Sequence, residues 1–156
     1  MSNVILIRPI SESWSGELYK RTLSIPHGPL TLAAHIIDKG YTVKIIDEIA
    51  LTETIKNEIS VKAQSDLLNE IKKETPICIG ITSMTGEQIR RGRMLASLVR
   101  KMNPNIPIVW GGAHPTLLPE MTIKDELVDI ICAGEGDISF PILVSELKKN
   151  STGNML

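Results

Sequence analysis

Five short apolar runs punctuate this chain: NVILIR (3–8), TVKIID (42–47), ICIGIT (77–82), IPIVWG (106–111) and VDIICAG (128–134). They are rich in Val and Ile, and several are apolar almost throughout rather than alternating. That is the pattern of parallel strands covered on both faces. Helical patterns lie between them, so the chain reads β-α-β-α-β-α-β-α-β, with no internal repeat and no linker. Right-handed crossovers then require an open, doubly wound sheet. For five strands the Rossmann-like, flavodoxin-like order 2-1-3-4-5 is expected, with its switch point between strands 1 and 3.

The helices carry their own start and stop signals. PLTLAAHIIDKG opens with Pro29 and closes at Gly40, with Leu30, Ala33, Ala34 and Ile37 predicted to share one face. Residues 61–74 bring Leu67, Leu68 and Ile71 together and end in lysines. Residues 48–60 read as either a surface loop or a short helix. Thr85-x-x-Gln88 has the form of a capping box at the head of a helix that Pro104 stops. The last helix is expected over about 139–149, capped by Asp137 or Ser139 with Pro141 in its first turn. One domain over 1–150 and a frayed tail over 151–156 follow.

Composition closes off several functions. The chain has 156 residues, 42% hydrophobic, and a formal net charge of −1, so no global field attracts nucleic acid or an anionic membrane. Two Trp, two Tyr and one Phe are too few for a base-stacking platform. No apolar run approaches the roughly 20 residues that cross a bilayer, and no signal peptide is visible; a cytoplasmic location is the expectation. Cys78 and Cys132 each sit in an apolar run and read as small buried hydrophobes rather than a metal pair or disulfide. There is no CxxC, CxxxCxxC, Walker A, post-strand GxGxxG or GxSxG motif.

Ligands of such sheets bind beyond the carboxyl ends of the strands, and there the residues change character. Strand 1 ends in Arg8-Pro9, strand 3 in Thr82-Ser83-Met84-Thr85, strand 4 in Gly111-Gly112-Ala113-His114, and strand 5 in Gly134-Glu135-Gly136. Glycines let a ligand approach the backbone, hydroxyls supply directional hydrogen bonds, and the helix start near Thr85 suits an anion such as a phosphodiester. Each feature also has a plain structural reading, as a tight turn or a helix cap. No base–nucleophile pair at workable spacing is visible, so acid–base catalysis by Glu135 or His114 is not expected. His35 is read as a surface or flanking residue, His27 as lying at the start of the first helix close to the binding edge, and His114 as the best histidine candidate for a ligand contact. Trp110 is expected beneath the last helix, and Arg90-Arg91-x-Arg93 as a solvated face.

The combination IPHGPLTLAAHIIDKGYTVKIID, GITSMT, VWGGAHPTLLPE and VDIICAGEGDISFPILVSEL resembles the B12-binding domain at the N-terminus of cobalamin-dependent radical SAM enzymes, over roughly residues 3–148. The resemblance implies cobalamin held across the carboxyl ends of the strands, its corrin over the loops and its dimethylbenzimidazole tail beside the sheet. Ser83, Met84 and Thr85 would line the tail pocket. Gly111, Gly112, His114 and Thr116 would lie near the corrin or tail, and Gly134, Glu135 and Gly136 near the nucleotide end.

Two departures refine this expectation. The D-x-H-x-x-G motif that gives methionine-synthase-type modules their axial histidine is absent; the loop reads PISESWSGELYKRTLS, so base-off cobalamin without a histidine ligand is implied. Trp14 in that loop would cover the lower corrin face or serve as an interaction surface. The CxxxCxxC motif of the radical SAM barrel is also absent, so this chain by itself would not cleave S-adenosylmethionine. It is read as a cofactor-holding module serving a radical SAM partner in trans, or as an excised domain. The alternative is an interaction or regulatory domain that keeps the fold without the cofactor.

Overall fold

Along each strand, successive side chains point to opposite faces, and on this sheet both faces are covered. The computed structural model describes residues 4–10, 25–51 and 61–153. Among these, five parallel strands form one sheet in the order β2-β1-β3-β4-β5: β1 (Val4–Arg8), β2 (Val43–Asp47), β3 (Cys78–Thr82), β4 (Ile108–Gly111) and β5 (Ile130–Cys132). This is the predicted doubly wound α/β order. The helices are α1 (His27–Asp38), α2 (Glu48–Leu51), α3 (Val61–Lys73), α4 (Glu87–Met102), α5 (Ala113–Leu117), α6 (Pro119–Thr122) and α7 (Gly136–Gly153).

One face carries the bulk. Ile5, Ile7, Ile46, Ile79, Ile81, Ile108 and Trp110 pack with Leu67 and Ile71 of α3 and Leu95, Ala96 and Val99 of α4. Each buried isoleucine contributes roughly 1.5–3 kcal/mol of transfer free energy. The other face is smaller: Val4, Leu6, Cys78 and Val109 meet Ala33 and Ile36 of α1 and Phe140 and Val144 of α7. Trp110 therefore lies against α4, not beneath the last helix. A Cβ on Gly92 would come within 2.9 Å of its ring, so a glycine on α4 makes room for the indole.

Several local expectations are corrected. The buried stripe of α1 is Pro29, Ala33 and Ile36; Leu30, Ala34 and Ile37 are exposed because packing against β1 and α7 turns the helix by about one residue. Gly86, not Thr85, caps α4. Gln88 nonetheless reaches back, its Oε1 accepting the Met84 N–H at 2.8 Å, and its Nε2 donates to Pro9 O at 3.0 Å. α7 begins at Gly136, which makes Pro141 its sixth residue, where the ring removes one N–H from the helical ladder. Of the undecided segment 48–60, residues 48–51 are helical and the rest lies outside the described residues, as do Trp14 and residues 154–156.

The basic run on α4 is the largest correction. Arg90 pairs with Glu87 and Arg93 with Asp125, but Arg91 is wholly buried, ion-paired to the equally buried Glu48. Ile10 N also donates to Glu48 Oε2 at 2.9 Å. On the opposite face of the sheet, Arg8 grips Asp47 through two bonds of 2.8 and 2.6 Å, joining the ends of β1 and β2. Breaking one half of a buried pair strands the other charge, so Arg91→Met is expected to cost about 3–5 kcal/mol in urea unfolding. The double variant Arg91→Met with Glu48→Leu is expected to recover most of that loss, measured in the same experiment.

Candidate functional site

The alternation that puts Trp110 on one face puts Gly111 on the other. Gly80, Thr82, Gly111 and Cys132 all belong to the α1–α7 face, by the parity of Cys78, Val109 and Ile130. Little side-chain bulk stands there at the carboxyl ends of β3, β4 and β5, and a cavity of about 170 Å³ opens between the sheet and the two helices. Leu6, Gly80, Val109 and Phe140 close its inner end. Gly28, Pro29 and Leu32 of α1 and Gly136 and Asp137 of α7 form its other wall, and the exposed Gly134 and Glu135 lie at its open end. The volume of this slot is comparable to that of an apolar cavity of about 150 Å³ that accepts a benzene ring. Among the described residues, no Lys, Arg or His lines it.

The glycines serve two different ends. Gly112 has φ +97°, and a Cβ there would lie 2.8 Å from Ser83 O and 2.9 Å from Thr82 Oγ1. Its lack of a side chain lets the β4 turn close on the β3 loop. His114 N completes that contact, donating to Ser83 O at 3.1 Å. Gly111 is different: a Cβ would meet nothing nearer than Cys132 O at 3.6 Å, and it would project into the slot. The bareness of the GG turn thus closes the fold at one position and leaves space at the other.

Of the ten residues singled out from sequence, the structure brings five together along the slot: Gly111, Gly112, Gly134, Glu135 and Gly136. Thr116 ties the two glycine turns together, its hydroxyl donating to Gly112 O (2.8 Å) and accepting from Gly134 N (2.9 Å). The other four lie elsewhere. Ser83 is sealed, with its Oγ unpartnered among the described residues. Met84 is 63% exposed on the rim. Thr85 stands with its Oγ1 3.4 Å from Nδ1 of His114, whose ring is only 3% exposed and does not line the slot. Sequence reasoning missed Gly80, Thr82, Cys132, Leu32, Asp137 and Phe140. Counting by twos from Gly111 and from the strand interiors would have found the first three.

The two thiols are both free and differ in surroundings. Cys78 is buried as expected, and burial pushes its thiol up to about 12. Cys132 departs from expectation: it is half-buried, lines the slot, and lies with Sγ 3.2 Å from Ser139 Oγ. A maleimide at pH 8 is expected to modify Cys132 in the folded protein and Cys78 only after unfolding, as mass spectrometry would read. Because the folded thiol of Cys78 holds its proton above its ordinary value of 9.0, its contribution to stability is complete below about pH 9. It is lost as the pH rises from about 9 towards 12. Cys78→Ala is expected to flatten that alkaline fall in stability.

A doubly wound parallel sheet with an apolar slot at its carboxyl edge defines a cofactor- or ligand-holding α/β domain. The B12 binding domain family model matches residues 23–144, and the chain belongs to that family. Cobalamin is accordingly its cofactor, and the mostly apolar inner lining of the slot is compatible with an uncharged part of that molecule. The chain is 32% identical over 149 residues to uncharacterized methyltransferase PH0819 of Pyrococcus horikoshii, an overlap of 94% of this chain and 29% of the relative. Its fold is similar to that of the radical S-adenosylmethionine methyltransferase TsrM of Kitasatospora setae (TM-score 0.73, 16% identity, 94% of this chain and 26% of that one). The cobalamin-dependent radical enzyme OxsB, solved with aqua-cobalamin, has TM-score 0.64 and 20% identity, over 96% of this chain and 19% of that one. The chain thus spans less than a third of each of these proteins. Among the described residues, no helix is long and apolar enough to cross a membrane and no His/Cys/Asp/Glu group is placed to hold a metal ion.

Proposed function

We propose that this chain is the cobalamin-holding module of a methyl-transferring radical SAM system, with the nucleotide tail of the cofactor in the slot and the corrin over the carboxyl edge. The slot itself carries this reading: a mostly apolar space of about 170 Å³, lined by no cationic side chain among the described residues, at the edge where this fold class takes its ligands. Bound cobalamin supplies a cobalt that accepts and passes on a methyl group. The chain's own residues bind and orient. Gly111, Gly112, Gly134, Glu135 and Gly136 admit and flank the tail, Thr116 holds the two glycine turns in register, Met84 and Thr85 stand exposed near the carboxyl edge, and the buried Ser83 and His114 support the turns behind it. The sequence after β1, PISESWSGELYKRTLS, carries no histidine, in keeping with base-off binding without a histidine ligand to cobalt. The methyltransferase relative and the radical SAM neighbours support a catalytic partner of that kind; our reading is that it acts on the same chain or in trans, in the cytoplasm.

A second reading, an interaction domain that has given up the cofactor, draws on one feature. Leu117, Leu118, Met121 and Ile123 of the α5–α6 segment are exposed, an apolar patch of the sort that meets another protein. A single experiment separates the two. Purified protein is mixed with hydroxocobalamin or methylcobalamin, desalted, and its absorbance recorded. Retained corrinoid with a base-off methylcobalamin spectrum is expected; a clean protein spectrum would make the interaction domain the better account. Gly111→Leu is the fitting companion, because its backbone tolerates a side chain that fills the slot. It is expected to weaken binding about 10- to 100-fold while leaving the melting temperature close to that of the parent. Gly112 is a poor probe, since any side chain there strains the turn.

A further inference from the structure

We propose that the slot sorts corrinoids by the chemistry of their lower base, favouring benzimidazole and phenol tails over purine tails. This rests on the reading that the tail occupies the slot, and it deepens that reading to a ligand class. The slot is layered. Its inner layer is Leu6, Gly80 and Val109, aligned across β1, β3 and β4, with Phe140 of α7 over them. All four are buried. A Cβ on Gly80 would come within 2.9 Å of Leu6 Cδ2 and 3.0 Å of Phe140 Cζ, so hydrocarbon closes on this strand position from two sides. No side chain in this layer offers a donor or acceptor, and the strand backbone there is committed to the ladder between β1, β3 and β4.

Polarity begins at the next level of the sheet on this face, two residues along β3 and about 6.6 Å outward. There stand Thr82 and Cys132, and Glu135 and Asp137 line the slot beyond the end of β5. A bicyclic base entering edge-first therefore meets hydrocarbon at its inner edge and polar groups near its sugar. Benzimidazole presents C–H and methyl groups inward, and a phenol tail presents a carbon ring. A purine presents ring nitrogens, and in adenine an amine, to walls that cannot replace the lost water. Buried polar groups left unpaired in this way weaken binding about 10- to 100-fold.

The test is equilibrium titration of the full chain with four corrinoids: cobalamin, a phenolyl cobamide, an adeninyl cobamide, and cobinamide, which has no nucleotide tail. Cobalamin and the phenolyl cobamide are expected to bind comparably, and the adeninyl cobamide about 10- to 100-fold more weakly. If cobinamide binds as tightly as cobalamin, the tail does not use the slot and the underlying reading falls with the proposal. If cobalamin outbinds cobinamide but the adeninyl cobamide matches cobalamin, the tail reading stands and the sorting does not. Val109→Thr places one hydroxyl in the inner layer at nearly constant volume and is expected to narrow the cobalamin-to-adeninyl ratio by about threefold or more. Val109→Ala enlarges the slot without adding polarity. Equal narrowing by both variants would mean that size does the sorting, and would overturn the proposal. The four-ligand comparison on the parent protein decides the matter even where a variant fails to fold.

Discussion

The two-residue alternation of parallel strands is the constraint on which the rest of this structure depends. It assigns bulk to one side of the sheet and space to the other. On the α3–α4 side, Ile5, Ile7, Ile79, Ile81 and Trp110 fill every position out to the carboxyl edge. On the α1–α7 side, the positions at that edge are Gly80, Thr82, Gly111 and Cys132, and the helices above cannot sink far enough to close over them. The slot is the necessary complement of a core that is complete on one face only. A shift of one residue in any of the three strands would bring an isoleucine or Trp110 into it.

The bulky side also carries the polar fastening of the carboxyl edge. Gln88 joins the start of the β1 loop at Pro9 to the β3 loop at Met84, while Glu48 takes both Arg91 and Ile10 N. Arg8 and Asp47 fasten β1 to β2 on the opposite face, by the parity of Leu6 and Ile45. Four elements are thereby held together around the switch point by groups that are mostly out of water. Charges buried this deeply add little net stability, because desolvation offsets their attraction. Their consequence is geometric: the crevice is tied shut on the α4 side, and ligand space is left on the α1–α7 side.

Most of the architecture was legible in the sequence, because runs such as ICIGIT and IPIVWG leave few alternatives to buried parallel strands. The strand order and the edge that holds the site followed from topology. Side-chain neighbourhoods were less legible. The face of α1 was misjudged because its apolar residues offer two adjacent stripes about 100° apart, and packing against β1 and α7 selects the one with Ala33 and Ile36. Arg91 looked like its exposed neighbours Arg90 and Arg93; its partner, Glu48, is 43 residues away and no local pattern announces the pair. Around the site, glycine turns were recognisable by composition, whereas Thr82, Cys132 and Phe140 are ordinary residues made significant by the face they occupy.

Two adjacent glycines show how differently the same residue acts in one turn. At Gly112 the requirement is internal: backbone at φ +97°, pressed against Ser83 O, admits no Cβ. At Gly111 the fold makes no such demand, since φ is ordinary and the nearest atom to a Cβ is 3.6 Å away. Stability alone would accept alanine at Gly111 and gain from it, because glycine in a strand costs backbone entropy and offers no side chain to pack. Under the proposed function, the packing given up at Gly111 is accounted for by what enters the slot, whereas Gly112 is already accounted for by the turn.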